Sequence, residues 1–131
     1  MKKTFKLSRR KSSRQLMLRN LATSLLLYEK ITTTVSKAKA VRPLLEKIIS
    51  AGKKNDLVAR RRLLSILLDK NAVAKTLEVL SPRYKNVTGG YLEIIRINER
   101  LGDGAPMAIL QLKKMKIDKK EEEKDDQNKQ V

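Results

Sequence analysis

An α+β fold is predicted, a compact helical domain packed on a small three-stranded mixed sheet, and three features of the chain predict it. Apolar residues recur every three or four positions through most of residues 14–80, the period of helices with one buried face. Ile31-Thr32-Thr33-Thr34-Val35 is β-branched throughout, which crowds a helix and suits a pleated strand. After Gly89-Gly90 the pattern changes to alternation, as in a hairpin.

The elements follow in order. Residues 1–13 carry Lys2, Lys3, Lys6, Arg9, Arg10 and Lys11 with only Phe5 and Leu7 as sizeable apolar side chains, too little to bury, so they predict a basic arm that is ordered on a partner. A single domain is expected over residues 14–113. Its first helix runs from Arg14 to Tyr28, with Met17, Leu21, Leu25 and Tyr28 at helical spacing and Leu18 and Ala22 beside them. The β-branched strand Ile31–Val35 comes next. Ser36 is the expected N-cap of a helix whose buried stripe is Ala38, Val41, Leu45, Ile48 and Ile49 and which Gly52 ends; Pro43 predicts a bend inside it.

Asp56 is expected to cap a helix through Val58, Ala59, Leu63, Ile66 and Leu67, with Arg60, Arg61 and Arg62 outward. Asn71 would cap another, carrying Val73, Leu77 and Leu80, and Pro82 suits the first turn of a short helix after it. Tyr91–Ile97 and Met107–Leu112 read as an antiparallel hairpin around the Gly102–Pro106 loop, apolar on both faces, with Ile31–Val35 as third strand. Residues 114–131 are almost all Lys, Glu, Asp, Gln and Asn, the composition of a disordered charged tail.

Charge then narrows function. The chain has 131 residues, with 31 Lys and Arg against 14 Asp and Glu, a formal +17. A small domain this basic repels itself and calls for a polyanion or an anionic membrane. Aromatic residues make up only 3% of the chain, which argues against a module that reads single strands by stacking, so binding should rest on phosphate charge. There is no Cys and no His, which removes thiol nucleophiles, most zinc sites and the commonest general base; no enzyme and no cofactor or metal is expected. No apolar run approaches the length of a spanning helix. Residues 1–28 contain no acid, a composition that an organellar presequence shares.

The arm is the first candidate site, because a flexible cationic segment gains counterion-release energy along RNA phosphates. Lys37, Lys39 and Arg42 lie at the start of their helix, where cations oppose the helix dipole unless an anion is near. Arg60, Arg61 and Arg62, with Lys53 and Lys54 before them, fit either a phosphate grip or an ordinary charged face. Arg83, Tyr84 and Lys85 offer a basic and aromatic edge. Gly89-Gly90 lacks the longer pattern of a nucleotide loop, and the acids Glu121, Glu122, Glu123, Asp125 and Asp126 lie in a tail with no fixed geometry for catalysis.

The order of these features resembles a family, the bacterial ribosomal protein numbered seventeen of the large subunit, from about Leu7 to Leu112. The resemblance is carried by residues 12–25, beginning Ser12-Ser13-Arg14-Gln15, and by Thr33-Thr34 followed by Lys37-Ala38-Lys39 and Arg42-Pro43. Asp56-Leu57, Ala59-Arg60-Arg61, Pro82-Arg83-Tyr84, Gly89-Gly90-Tyr91, Gly102-Asp103 and Ala105-Pro106-Met107-Ala108 extend it. It implies a compact α+β protein without enzymatic activity. It further implies binding to large-subunit ribosomal RNA on the solvent side near the nascent-peptide exit, with neighbouring ribosomal proteins as further partners. On the matching positions, Arg9, Ser12, Arg14, Arg19, Asn20, Lys37, Lys39, Arg42, Arg83 and Tyr84 would face RNA. The family's N-terminus is usually longer and holds histidines, one near the position of Ser13, so no contact is carried onto Met1–Lys6 from the family.

The expectation is a monomer within the cytoplasmic ribosome, with an organellar ribosome as the alternative, and with no membrane or small-molecule partner. Three rivals share parts of the pattern. A DNA-architectural protein would share the charge but lacks an apolar wedge on a loop tip. A membrane-surface protein would use the arm with Phe5 and Leu7. A small RNA-modifying enzyme would need chemistry that the composition withholds.

Overall fold

Helix α1 spans Lys11–Tyr28 in a computed structural model that describes residues 5–114. It starts three residues before the expected Arg14, so Lys11, Ser12 and Ser13 from the end of the expected arm form its first turn. Its buried residues are Ala22, Leu25 and Leu26. At 3.6 residues per turn, Tyr28 falls roughly 110° from the middle of that stripe, and it is 75% exposed instead of buried. Glu29 ends the helix in the left-handed region, at φ 63°, and its N–H donates to the Leu25 carbonyl. That turn sends the chain straight into β1, Lys30–Thr34.

β1 stops one residue earlier than the β-branched run predicts. Thr34 Oγ1 accepts the Lys37 N–H at 3.4 Å, taking the capping role expected of Ser36, and Val35 becomes the first residue of α2, Val35–Gly52. The expected stripe Ala38, Val41, Leu45, Ile48 and Ile49 is buried as read. Pro43 is accommodated within the helix on an exposed position, where the carbonyl it leaves unpaired can reach water. Gly52 closes α2 where a side chain would be crowded: a Cβ there would stand 3.1 Å from both Ser81 Oγ and Thr76 Cγ2, so those side chains would have to give way by a few tenths of an ångström.

Asp56 caps α3, Leu57–Ile66, as expected, its carboxylate accepting the Ala59 N–H at 2.7 Å. The next cap is Asp69 and not Asn71: Asp69 accepts from the Asn71 N–H, and α4 covers Lys70–Lys75. A π-helical turn, Thr76–Leu80, follows and runs directly into the short α5, Ser81–Arg83. In the widened turn the Ser81 N–H and Oγ both reach the Thr76 carbonyl, and Thr76 Oγ1 donates to Ala72 O, so both buried hydroxyls are satisfied. Pro82, which has no N–H to place, comes immediately after.

β2, Leu92–Arg96, and β3, Met107–Leu112, form the hairpin, and β3 lies between β1 and β2. The sheet is antiparallel in both pairings, which corrects the expectation of a mixed one. β1 and β2 run in the same direction, but β3 separates them and no parallel ladder forms. Leu92, Ile94, Ala108, Leu110, Leu112, Ile31 and Thr33 share the inner face by register, and Leu110 and Ala108 are fully buried. Ile95 and Ile109 pair on the other face, so β3 is apolar on both sides. The helices cover the inner face, and Leu25, Leu45, Ile49, Leu63, Leu80 and Leu110 make one core with the rings of Tyr84 and Tyr91, whose centroids are 5.2 Å apart.

Candidate nucleic-acid interface

The N-terminal end of α1 is built from cations without counter-charges. Arg10 is its N-cap residue and offers no side-chain acceptor, and the first turn holds no acid. Among the described residues the amide donors of that turn therefore have no side-chain cap, and Arg9, Arg10, Lys11 and Arg14 lie in or next to it along the chain. Arg14 Nη1 reaches back to the Arg9 carbonyl at 3.4 Å, tying the last described part of the arm to the helix. The arm turns sharply just before, with Leu7 and Ser8 both at positive φ, near 53° and 52°, and the Arg9 N–H bonded to Lys6 O. Arg9 and Asn20 line one shallow groove along α1 with Ser13, Leu16, Met17 and Ser24, so two of the candidate residues are brought together there. Arg19 is exposed on the same helix. Lys2 and Lys3 lie outside the described residues.

The start of α2 also gathers cations, although Thr34 caps it. Its first turn has no acid, Lys39 and Arg42 are exposed, and Lys37 is half-buried. Arg60, Arg61 and Arg62 are all exposed on α3, while Ala59 and Leu63 face the core and α3 packs on α2 and α4. Among the described residues none of these cations lies within ion-pair distance of a carboxylate.

The remaining candidates separate. Arg83 forms a two-pronged pair with Glu29, both contacts at 3.0 Å, and Lys75 approaches the same carboxylate at 3.2 Å. The Arg83 guanidinium and Lys75 hold the Glu29 carboxyl below the usual range, and Glu29 in turn raises the Arg83 value. Arg83 is thus engaged in joining α5 to the end of α1, although its side chain stays a third exposed. Tyr84 must be corrected: it is fully buried, its ring packs on Tyr91, and its hydroxyl donates to Lys113 O at 2.7 Å. Burial pushes its phenol up. Tyr84 holds the hairpin to the helices and presents no ring to RNA. Lys85 is exposed. Lys53, read with Lys54 as a neighbour of the arginine trio, donates to Val87 O and stands 4.7 Å from the Tyr91 ring centroid, so its charge is taken up inside the fold.

Sequence reading missed the Glu29 cluster, because its members are 46 and 54 residues apart in the chain. It also placed Tyr28 in the core. Among the described residues no group of three or more His, Cys, Asp or Glu could hold a metal ion, and no helix is long and apolar enough to cross a membrane.

Comparison with known proteins agrees with the resemblance seen in the sequence. The family model of ribosomal protein L17 matches residues 17–113. The large ribosomal subunit protein bL17 of Caldanaerobacter subterraneus subsp. tengcongensis is 49% identical over 107 residues, covering 82% of this chain and 96% of that protein. The bL17 proteins of Thermoanaerobacter sp. and Paramagnetospirillum magneticum are 47% and 48% identical over the same share of this chain, 96% and 76% of their own lengths. With a match of this extent the chain belongs to the ribosomal protein L17 family, a family of structural ribosomal components and not of enzymes.

Proposed function

We propose that this protein is a structural constituent of the large ribosomal subunit that binds folded large-subunit ribosomal RNA and stabilises its arrangement, on the solvent side near the nascent-peptide exit. The observation that carries the RNA reading is the concentration of cations, without an ion-pair partner among the described residues, at a helix start that has no side-chain cap: Arg9, Arg10, Lys11 and Arg14, with no acid in the first turn of α1. Leaving like charges together at the positive end of a helix dipole is unfavourable in the free protein, and phosphate reverses the sign of that term. The exit-side location rests on family resemblance alone.

In this reading the fold is a rigid platform. The helix starts of α1 and α2, and the arginines of α3, neutralise phosphates from separate faces, so RNA segments that meet on the protein are held in one relative orientation. Ser12, Arg19, Asn20 and Lys85 add contacts beside them. Recognition comes from RNA shape, since the cations contact backbone and not base edges. Neighbouring ribosomal proteins complete the surroundings, and the protein acts as a monomer in the particle.

The test is binding of the full-length protein to deproteinised large-subunit RNA across a salt series. Tight binding with a steep negative slope of log affinity against log salt is expected. Equal affinity for unrelated duplexes at physiological salt would contradict the proposal.

A further inference from the structure

We infer that Tyr28 is the stacking platform for one unpaired RNA base, at the opposite end of α1 from the cationic helix start. The inference rests on the RNA-binding reading above and adds a site to it. The chain has four aromatic residues. Tyr84 and Tyr91 are in the core, Phe5 is half-buried, and Tyr28 alone is turned to solvent, 75% exposed on the last residue of α1. A ring in that position contributes little to the fold, and its apolar faces remain to be covered by a partner.

The surroundings fit a nucleotide. A concave surface beside the ring is lined by Tyr28, Lys30, Gln111, Leu112, Lys113 and Lys114 and by two carboxylates, Glu29 and Glu93. Three lysines from β1 and the end of β3 thus share one concave surface with an exposed aromatic ring, which is the combination that single-stranded nucleic acid uses: a π-face for the base and cations for its phosphates.

The carbonyl end of a helix and an adjacent glutamate would ordinarily repel phosphate. Here both are already answered from within the protein. Lys75 Nζ donates to the Leu27 carbonyl at 2.8 Å and pairs with Glu29, and Arg83 takes both oxygens of the same carboxylate. Glu93 accepts from the Gln111 side-chain amide. Lys75 and Arg83 thus take up Glu29, and among the described residues Lys30, Lys113 and Lys114 have no ion-pair partner, which leaves them for phosphate. An 18-residue helix is about 26 Å long. The two ends of α1 would therefore touch separate RNA segments, the first by charge and the second by charge and stacking.

Full-length Tyr28→Phe, Tyr28→Leu and Lys30→Gln proteins would be titrated against deproteinised large-subunit RNA, with thermal unfolding of each protein alone. The exposed ring predicts unchanged unfolding temperatures for both Tyr28 variants. Tyr28→Phe should bind as the parent does, Tyr28→Leu should lose about tenfold in affinity with an unchanged salt slope, and Lys30→Gln should flatten the slope by about one. Tyr28→Leu binding as tightly as a tightly binding parent would overturn the inference. So would Tyr28→Leu binding free RNA normally while failing to enter subunits, which would assign the ring to a protein neighbour. A parent protein that binds without a steep slope would instead overturn the RNA reading itself.

Discussion

The two ends of helix α1 use the same residue types to opposite purposes. At the first end Arg9, Arg10, Lys11 and Arg14 have no carboxylate within reach among the described residues, and the amide donors there have no side-chain cap. At the second end Lys75 and Arg83 converge on Glu29, Lys75 also caps the Leu27 carbonyl, and the Glu29 backbone carbonyl accepts the Leu112 N–H. One set of cations is left for a partner. The other joins α4 and α5 to the end of α1, while a backbone bond ties that end to β3. Arginine content alone does not mark a cation as available to a partner; whether the fold also supplies an acid decides it.

The largest expected effect lies beside the paired end. Tyr84→Ala should cost about 3–5 kcal/mol in urea unfolding, as for other large buried aromatics, because it empties the space between the helices and the hairpin. Tyr84→Phe should cost about 1 kcal/mol, the hydrogen bond to Lys113 O, and should leave the salt dependence of RNA binding unchanged. If Tyr84→Phe flattened that dependence, the residue would belong to the interface after all.

Next comes the unpaired end. Replacing Arg9, Arg10, Lys11 and Arg14 together by Gln should reduce the salt slope of RNA binding by about 3 and leave the unfolding midpoint where it was or slightly higher, since like charges are removed. A lower midpoint would mean that these cations have partners in the fold and would erase the contrast.

Glu29 sharpens the comparison by pH. Its folded value is lowered by Arg83 and Lys75, so its pair contributes stability that is complete above the ordinary glutamate range and is lost as pH falls through the folded value. With both partners partly exposed, Glu29→Gln should cost no more than about 1 kcal/mol at neutral pH. It should also remove part of the acid dependence seen in denaturation between neutral and acidic pH. An unchanged acid profile would show that the cluster is ornamental.

The smallest effect is expected at the hairpin loop. Asp103 is lowered to about 2 by the Arg100 guanidinium and by the Ala105 N–H, yet the pair stands in solvent. Asp103→Asn should therefore remove that titration from an NMR series without moving the global unfolding midpoint.

Much of this was legible beforehand. Periodicity located the longer helices and the hairpin, β-branching located β1, and Asp56 announced its own cap, whereas the π-helical turn Thr76–Leu80 reads in the sequence as the continuation of an ordinary helix. The errors arise where tertiary geometry decides. Thr34 and Asp69 outcompeted Ser36 and Asn71 as caps, since capping depends on the local chain direction and not on residue type alone. Tyr84 and Tyr28 exchanged expectations: the first follows an Arg and a Pro yet meets Tyr91 in the core, the second continues an apolar stripe yet points away from it. The free cations at the start of α1 were readable because no acid occurs in that part of the chain. The spent cations Lys53, Lys75 and Arg83 were not, because their partners are distant in sequence.

The central claim is tested most directly by sedimenting native lysate through sucrose gradients at moderate and high salt and following this protein in each fraction. Comigration with the large subunit that survives high salt is the predicted result. A protein that remains at the top of the gradient, or travels with chromosome or membrane, would contradict it.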